Sequence, residues 1–286
     1  MAFGAAPDEA PALATRMLGG GDGPALEIVA AGPPGPSRGA PILFVHGAFG
    51  GAWIWAERMM PFLARRGRAV AAVSLRGHGR SEGHEALDTT SLADFGADLR
   101  RVVASLREPP ILVGHSLGGL LAQLALGRLP LRGLVLLGSL PPEGLAVVGP
   151  RLALTEPLIW SESFMGSLAR ERAPISDALL RVLFSEGVPV RRAARYAARM
   201  TPESARALAE AHLPGPILPA AAIGVPALVL GGADDRLVWP VSTRRTAFYH
   251  GGQVRIVPRM GHFLMLDDDA EETAGAVLDW LEARGL

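Results

Sequence analysis

One stretch of this 286-residue chain sets a serine between two glycines: Gly114-His115-Ser116-Leu117-Gly118, inside ILVGHSLGGLLAQLALG. A serine hydroxyl is a poor nucleophile unless a base takes its proton and an acid orients that base. Seven histidines compete for the first role. His262 lies in PRMGHFLMLD, just after the last strand-like run and before the C-terminal helix. That places it on a loop at the carboxyl edge of a sheet, where open α/β folds bind ligands. His46 and His115 sit inside glycine motifs that account for them structurally, His78 falls in a turn, His84 and His250 in polar loops, and His212 at a helix end. For the acid, GGADDRLV offers Asp234 and Asp235 at the end of a strand-like run; one must face the histidine while the other serves the turn. Glu143 is a distant third, and Asp267–Asp269 reads as the acidic first turn of the last helix.

The glycines around Ser116 have a steric purpose. A tight strand-to-helix turn leaves no room for side chains two positions either side of the serine, and in return its hydroxyl stands above the sheet at a helix N-terminus. The Leu117 N–H points into the same space. Earlier, FVHGAFGG carries Gly47, Gly50 and Gly51, which let a loop fold close over the serine and offer a second backbone N–H. Two such donors would hold an oxyanion, at about 3 kcal/mol of transition-state stabilisation each.

The elements that must position these groups are legible as runs. Pro41–Val45, Ala69–Leu75, Ile111–Gly114, Gly133–Leu137, Ala227–Leu230 and Gln253–Val257 are short apolar runs read as not alternating with polar residues, as expected of parallel strands covered on both faces. Helix-like segments separate them: Ala52–Arg66, Leu92–Leu106, Leu117–Leu129, Val241–Tyr249 and Ala270–Ala283. Ala12–Leu18 and Ala25–Ala31 suit antiparallel edge strands. Residues 140–223 contain no strand-like run, and helices are expected over Pro174–Ser185, Pro189–Met200 and Pro202–His212, each opened by a proline. The expectation is an α/β fold with a mostly parallel sheet of roughly eight strands, helices on both faces, a core of residues 1–139 and 224–286, and a helical cap inserted over 140–223.

Composition narrows the chemistry. Acidic and basic residues balance at 28 each, which argues against a nucleic-acid partner. Every basic residue is arginine, and cysteine is absent, so thiolate catalysis, disulfides and cysteine metal sites are excluded. No run is long enough to span a membrane, and Met1–Pro24 lacks the pattern of a signal peptide, so a cytoplasmic protein is expected. No cofactor or metal is called for; a homodimer stays open.

Taken together, HGAFGG (His46–Gly51), LRGHGRS (Leu75–Ser81), GHSLGG (Gly114–Gly119), GADDRLV (Gly232–Val238) and GH (Gly261–His262) resemble the α/β-hydrolase superfamily over nearly the whole chain. The resemblance implies Ser116 as nucleophile, Asp235 (the aspartate that fits G-x-x-D-x-x-V) as acid and His262 as base, with the Ala48 and Leu117 N–H groups as oxyanion donors. The family usually has an aspartate before the Leu75–Ser81 loop. Here Ser74 stands there, and the departure is expected to be structural. HGAFGGAWIW is similar to the branch holding plant methylesterases and hydroxynitrile lyases. Those lyases need a lysine, which this chain lacks; epoxide hydrolases and haloalkane dehalogenases carry an aspartate in place of Ser116.

Phe49, Trp160, Phe164, Met165 and Phe184 are candidates for an apolar substrate pocket, although cap aromatics also anchor a cap to its core. Arg191, Arg192, Arg195 and Arg199 recur at helical spacing and read as a solvated face. The leading expectation is a serine carboxylesterase acting on small to medium, mainly apolar small-molecule esters through an acyl-enzyme. The same triad also serves perhydrolases of the cofactor-free haloperoxidase type, thioesterases and C–C hydrolases. A non-catalytic binding protein on the same fold is the remaining alternative.

Overall fold

Eight strands form one sheet in a computed structural model that describes residues 11–19, 23–33, 35–157 and 177–286. They are β1 (Ala14–Leu18), β2 (Leu26–Ala31), β3 (Ile42–Val45), β4 (Val70–Val73), β5 (Ile111–His115), β6 (Gly133–Leu137), β7 (Ala227–Gly232) and β8 (Gln253–Val257). Their spatial order is β1-β2-β4-β3-β5-β6-β7-β8. The pairs β1/β2 and β2/β4 are antiparallel and the rest parallel. Every residue of β3, β5 and β6 is buried because helices cover both faces. Phe44, Val113 and Leu137 face one layer with α1 (Trp53–Ala56), α2 (Met59–Arg65) and α10 (Ala270–Ala283). Leu43, Leu112 and Leu136 face the other, with α3 (Leu92–Ala104), α4 (Ser116–Leu124) and α9 (Pro240–His250). Alternate residues therefore serve opposite cores, which is why the runs read as continuously apolar.

The register matters for function. Val45 lies level with Gly114, Gly114 with Leu136, and Leu136 with Val229, so the loops after β3, β5, β6 and β7 leave from one edge of the sheet. Chain segments from residues 46, 116, 138 and 233 onward thus start side by side.

Two local differences from the sequence expectation stand out. The helix expected over Ala52–Arg66 is two helices, broken at residues 57–58. Pro61 cannot donate to the residue 57 carbonyl and its ring would strike it, so the interruption falls four residues ahead of the proline. Between β6 and β7, α5 (Leu145–Thr155) is a helix ahead of the three expected, with Pro150 inside it. α6 (Asp177–Leu183), α7 (Val190–Ala197) and α8 (Ala205–Glu210) fall within the three helices expected. Among the described residues between β6 and β7 there is no strand. No helix of the described residues is long and apolar enough to cross a membrane.

The α3 start shows local sequence at work: Ser91 Oγ accepts from Asp94 N–H at 3.1 Å, and Asp94 Oδ2 accepts from Ser91 N–H at 2.9 Å. This reciprocal box satisfies two helix-end donors. The insertion then locks onto it, because Glu210 Oε2 in α8 accepts the Leu92 N–H at 2.8 Å.

Candidate active site

No loop separates β5 from α4: the strand ends at His115 and the helix begins at Ser116. Ser116 is forced to φ 50°, a left-handed conformation that a residue with a side chain adopts only when its surroundings hold it there. The glycines show what holds it. A Cβ on Gly114 would lie 2.5 Å from Gly118 O, one on Gly118 2.2 Å from His46 O, and one on Gly119 2.2 Å from Ser139 Oγ. Ser116 remains half-buried, so its hydroxyl faces accessible space.

His262 and Asp235 meet 27 residues apart in sequence. His262 Nδ1–H donates to Asp235 Oδ2 at 2.9 Å, and both side chains are buried. Asp235 Oδ1 accepts two backbone N–H bonds, from Leu237 at 2.9 Å and Val238 at 2.8 Å. Three donors on one buried carboxylate fix its orientation. Asp234 is exposed, and its backbone N–H donates to Met260 O at 2.9 Å. Glu143 pairs with Arg245 at the surface, 2.5 Å away. With its Nδ1 proton committed to the carboxylate, His262 has Nε2 left as the ring nitrogen that can accept a proton.

The loop after β3 closes over the serine. A Cβ on Gly47 would stand 2.8 Å from Ser116 Cβ. His46 braces this loop: its Nδ1–H donates to Gly47 O at 2.8 Å, and its Nε2 accepts from Leu75 N–H at 3.0 Å. Burial, and then the neighbouring His78, press the His46 ring down to about 3, so it stays a neutral brace. Ser74 Oγ accepts from Ala52 N–H at 2.9 Å and donates to the buried Glu27 at 2.7 Å. Phe49, half-buried at φ 65°, offers its carbonyl to Thr201 N–H at 3.0 Å, so the insertion grips this loop as well. Leu117, the second residue of α4, has an N–H with no carbonyl to meet within its own helix.

Residues 42–276 match the sequence pattern described as "Alpha/beta hydrolase family". The chain belongs to that family. A non-heme haloperoxidase of Rhodococcus erythropolis is 29% identical over 276 residues, covering 86% of this chain and 93% of the relative. Methyl jasmonate esterase 1 of Vitis vinifera is 37% identical over 90 residues, which span 31% of this chain and only 34% of that protein. A thermophilic esterase from Thermogutta terrifontis superposes with a TM-score of 0.66 at 21% identity, over 92% of this chain and 95% of its own, a likeness of fold. The protein is thus an enzyme of the α/β-hydrolase class.

Within this α/β hydrolase, two residues near the site carried no functional signal in the sequence. Asp267 is not the helix-capping residue its position suggests. It is wholly buried, accepts from Gly261 N–H at 2.7 Å and from Ser185 Oγ at 2.6 Å, and so ties the His262 loop to the insertion. Burial raises its pKa against those hydrogen bonds. His115, read as part of a glycine motif, reaches His262 directly. Among the pocket candidates, Phe184 is buried and stacks on Phe263 with ring centroids 5.4 Å apart, next to His262. Trp160, Phe164 and Met165 lie outside the described residues. The arginine stripe is partly engaged: Arg192 pairs with Asp268, Arg199 with Glu57, and Arg199 also covers the Trp53 ring at 4.4 Å.

Proposed function

We propose that this α/β hydrolase cleaves carboxylic esters of small to medium, mainly apolar molecules through Ser116, His262 and Asp235. The reading is supported by the buried His262–Asp235 bond of 2.9 Å together with a serine held at φ 50° at the start of a helix. In the first half-reaction, Ser116 Oγ attacks the ester carbonyl as His262 Nε2 takes its proton. Asp235 stabilises the imidazolium formed. The oxyanion is received by the Ala48 and Leu117 N–H groups. Collapse of the tetrahedral species transfers the proton from His262 to the leaving alkoxide and leaves an acyl-serine. Water, deprotonated by His262, then releases the acid. The described helices between β6 and β7 serve as a cap over this edge of the sheet, and Phe49 and Phe184 contribute to the acyl pocket.

A second reading has a specific support, the haloperoxidase relative aligned over most of both chains. In it, hydrogen peroxide replaces water at the acyl-serine and yields a peracid. The test is hydrolysis of p-nitrophenyl esters from acetate to palmitate by wild type and Ser116→Ala, with a parallel hydrogen peroxide arm read by bromide oxidation. Turnover that vanishes with Ser116 and peaks at short chains is expected. Undiminished turnover in Ser116→Ala, or no turnover together with no labelling of Ser116 by a fluorophosphonate, would overturn the serine-hydrolase reading.

A further inference from the structure

His115 spans the site in a way its sequence position does not announce. Its ring is buried, and Nε2 lies 3.0 Å from the backbone oxygen of His262, 147 positions along the chain. A carbonyl oxygen can only accept, so Nε2 carries the proton and Nδ1 is bare. The ring centroid stands 4.7 Å from that of His262 and 4.9 Å from that of Phe263. At its other edge is the loop after β3, where a Cβ on Gly47 would lie 2.8 Å from Nδ1. One imidazole is therefore wedged between the loop that closes over Ser116 and the loop that carries His262.

The peptide unit following His262 is held from two sides. Its C=O accepts from His115, and its N–H, that of Phe263, donates to Leu183 O of α6 at 3.1 Å. We infer that His115 is a positioning residue: by donating to the His262 carbonyl, it sets the direction from which the His262 imidazole meets Ser116. The inference rests on the triad reading above. Burial, and next the proximity of His262, hold the His115 ring well below the ordinary histidine value, so the donor is a neutral imidazole. Its bond is not one that protonation would rearrange at neutral pH.

Catalytic geometry tolerates little looseness, and a displacement of about 1 Å costs on the order of 100-fold in rate. The test uses two nearly isosteric substitutions that differ in one property: His115→Gln keeps a donor for the His262 carbonyl, and His115→Met does not. Each is assayed for kcat and KM on p-nitrophenyl butyrate. Each is also assayed by the low-field proton resonance of the His262 Nδ1–H···Asp235 bond, which needs no turnover. His115→Met is expected to lower kcat roughly 10- to 100-fold with KM within about twofold, and to broaden or shift the resonance. His115→Gln is expected to keep kcat within about threefold and the resonance in place. Equal losses in the two variants, or no loss in either, would overturn the inference. Should His115→Met not yield folded protein, His115→Leu supplies the donor-free arm. If wild type shows no Ser116-dependent turnover, the esterase reading falls, while the resonance still decides whether His115 orients the ring.

Discussion

Replacing Asp235 by asparagine separates two jobs that the carboxylate performs at once. Its Oδ1 receives the Leu237 and Val238 N–H groups at 2.9 and 2.8 Å, and its Oδ2 receives the His262 Nδ1–H at 2.9 Å. An asparagine must turn its single oxygen toward the two backbone donors, because its NH2 group there would face donors only. The NH2 then faces His262 Nδ1 and forces the proton onto Nε2, the wrong tautomer for accepting from Ser116. The loop keeps its hydrogen bonds, so the stability cost is about 1 kcal/mol, the difference between a charged and a neutral acceptor. The kinetic cost is about 10⁴-fold in kcat, or roughly 5.4 kcal/mol of barrier. Alanine instead strands both backbone donors, adding about 2–6 kcal/mol of destabilisation. The assay pairs p-nitrophenyl butyrate hydrolysis with thermal melts of both variants. The reasoning fails if Asp235→Asn retains activity within about tenfold of wild type, or if it melts as early as Asp235→Ala.

Packing and pH supply further tests. Gly119→Ala drives a Cβ to 2.2 Å from Ser139 Oγ and 2.5 Å from its Cβ, so it should cost about 1–3 kcal/mol, and adding Ser139→Gly should recover part of that loss. Simple additivity in denaturant melts would refute the contact. His250 donates from Nε2 to Gln123 Oε1 at 3.0 Å and accepts from Ala220 N–H at 3.2 Å, and burial lowers its pKa from 6.5 to about 4. The unfolded chain therefore binds the proton first on acidification. The stability is present above about pH 6.5 and is lost as pH falls toward 4, with a slope of at most about 1.4 kcal/mol per pH unit from this group. His46 acts in the same direction. His78 acts in the opposite one: burial disfavours its charge, but Glu203 at 3.3 Å leaves its pKa raised, so its contribution is lost as pH rises. His250→Gln, which can keep both hydrogen bonds without titrating, should melt with a shallower pH dependence between 7 and 5; an unchanged dependence would exclude His250 as a source.

Local sterics and burial decide those parts of the molecule that the amino-acid order specifies directly. A serine between glycines, ahead of a small-residue helix, specifies the turn at Ser116 because only glycine fits within 2.2–2.5 Å of the neighbouring backbone and side chains. Continuous apolar runs such as ILFV and GLVLL specify strands covered on both faces, since an exposed face would alternate. The position of His262 after the last strand follows from the same pattern.

Contacts between distant residues were a matter for the tertiary structure. Asp234 and Asp235 are neighbours of identical type, and only the fold of the β7 loop turns one toward His262 and the other to solvent. Asp267 read as a helix cap because three acids precede a helix; its burial against Gly261 and Ser185 depends on where the insertion comes to lie. His115 had no reason in sequence to touch a residue 147 positions away. Propensity and periodicity act over a turn or two of chain, whereas these side chains are assigned by which loops the sheet register brings to a common edge.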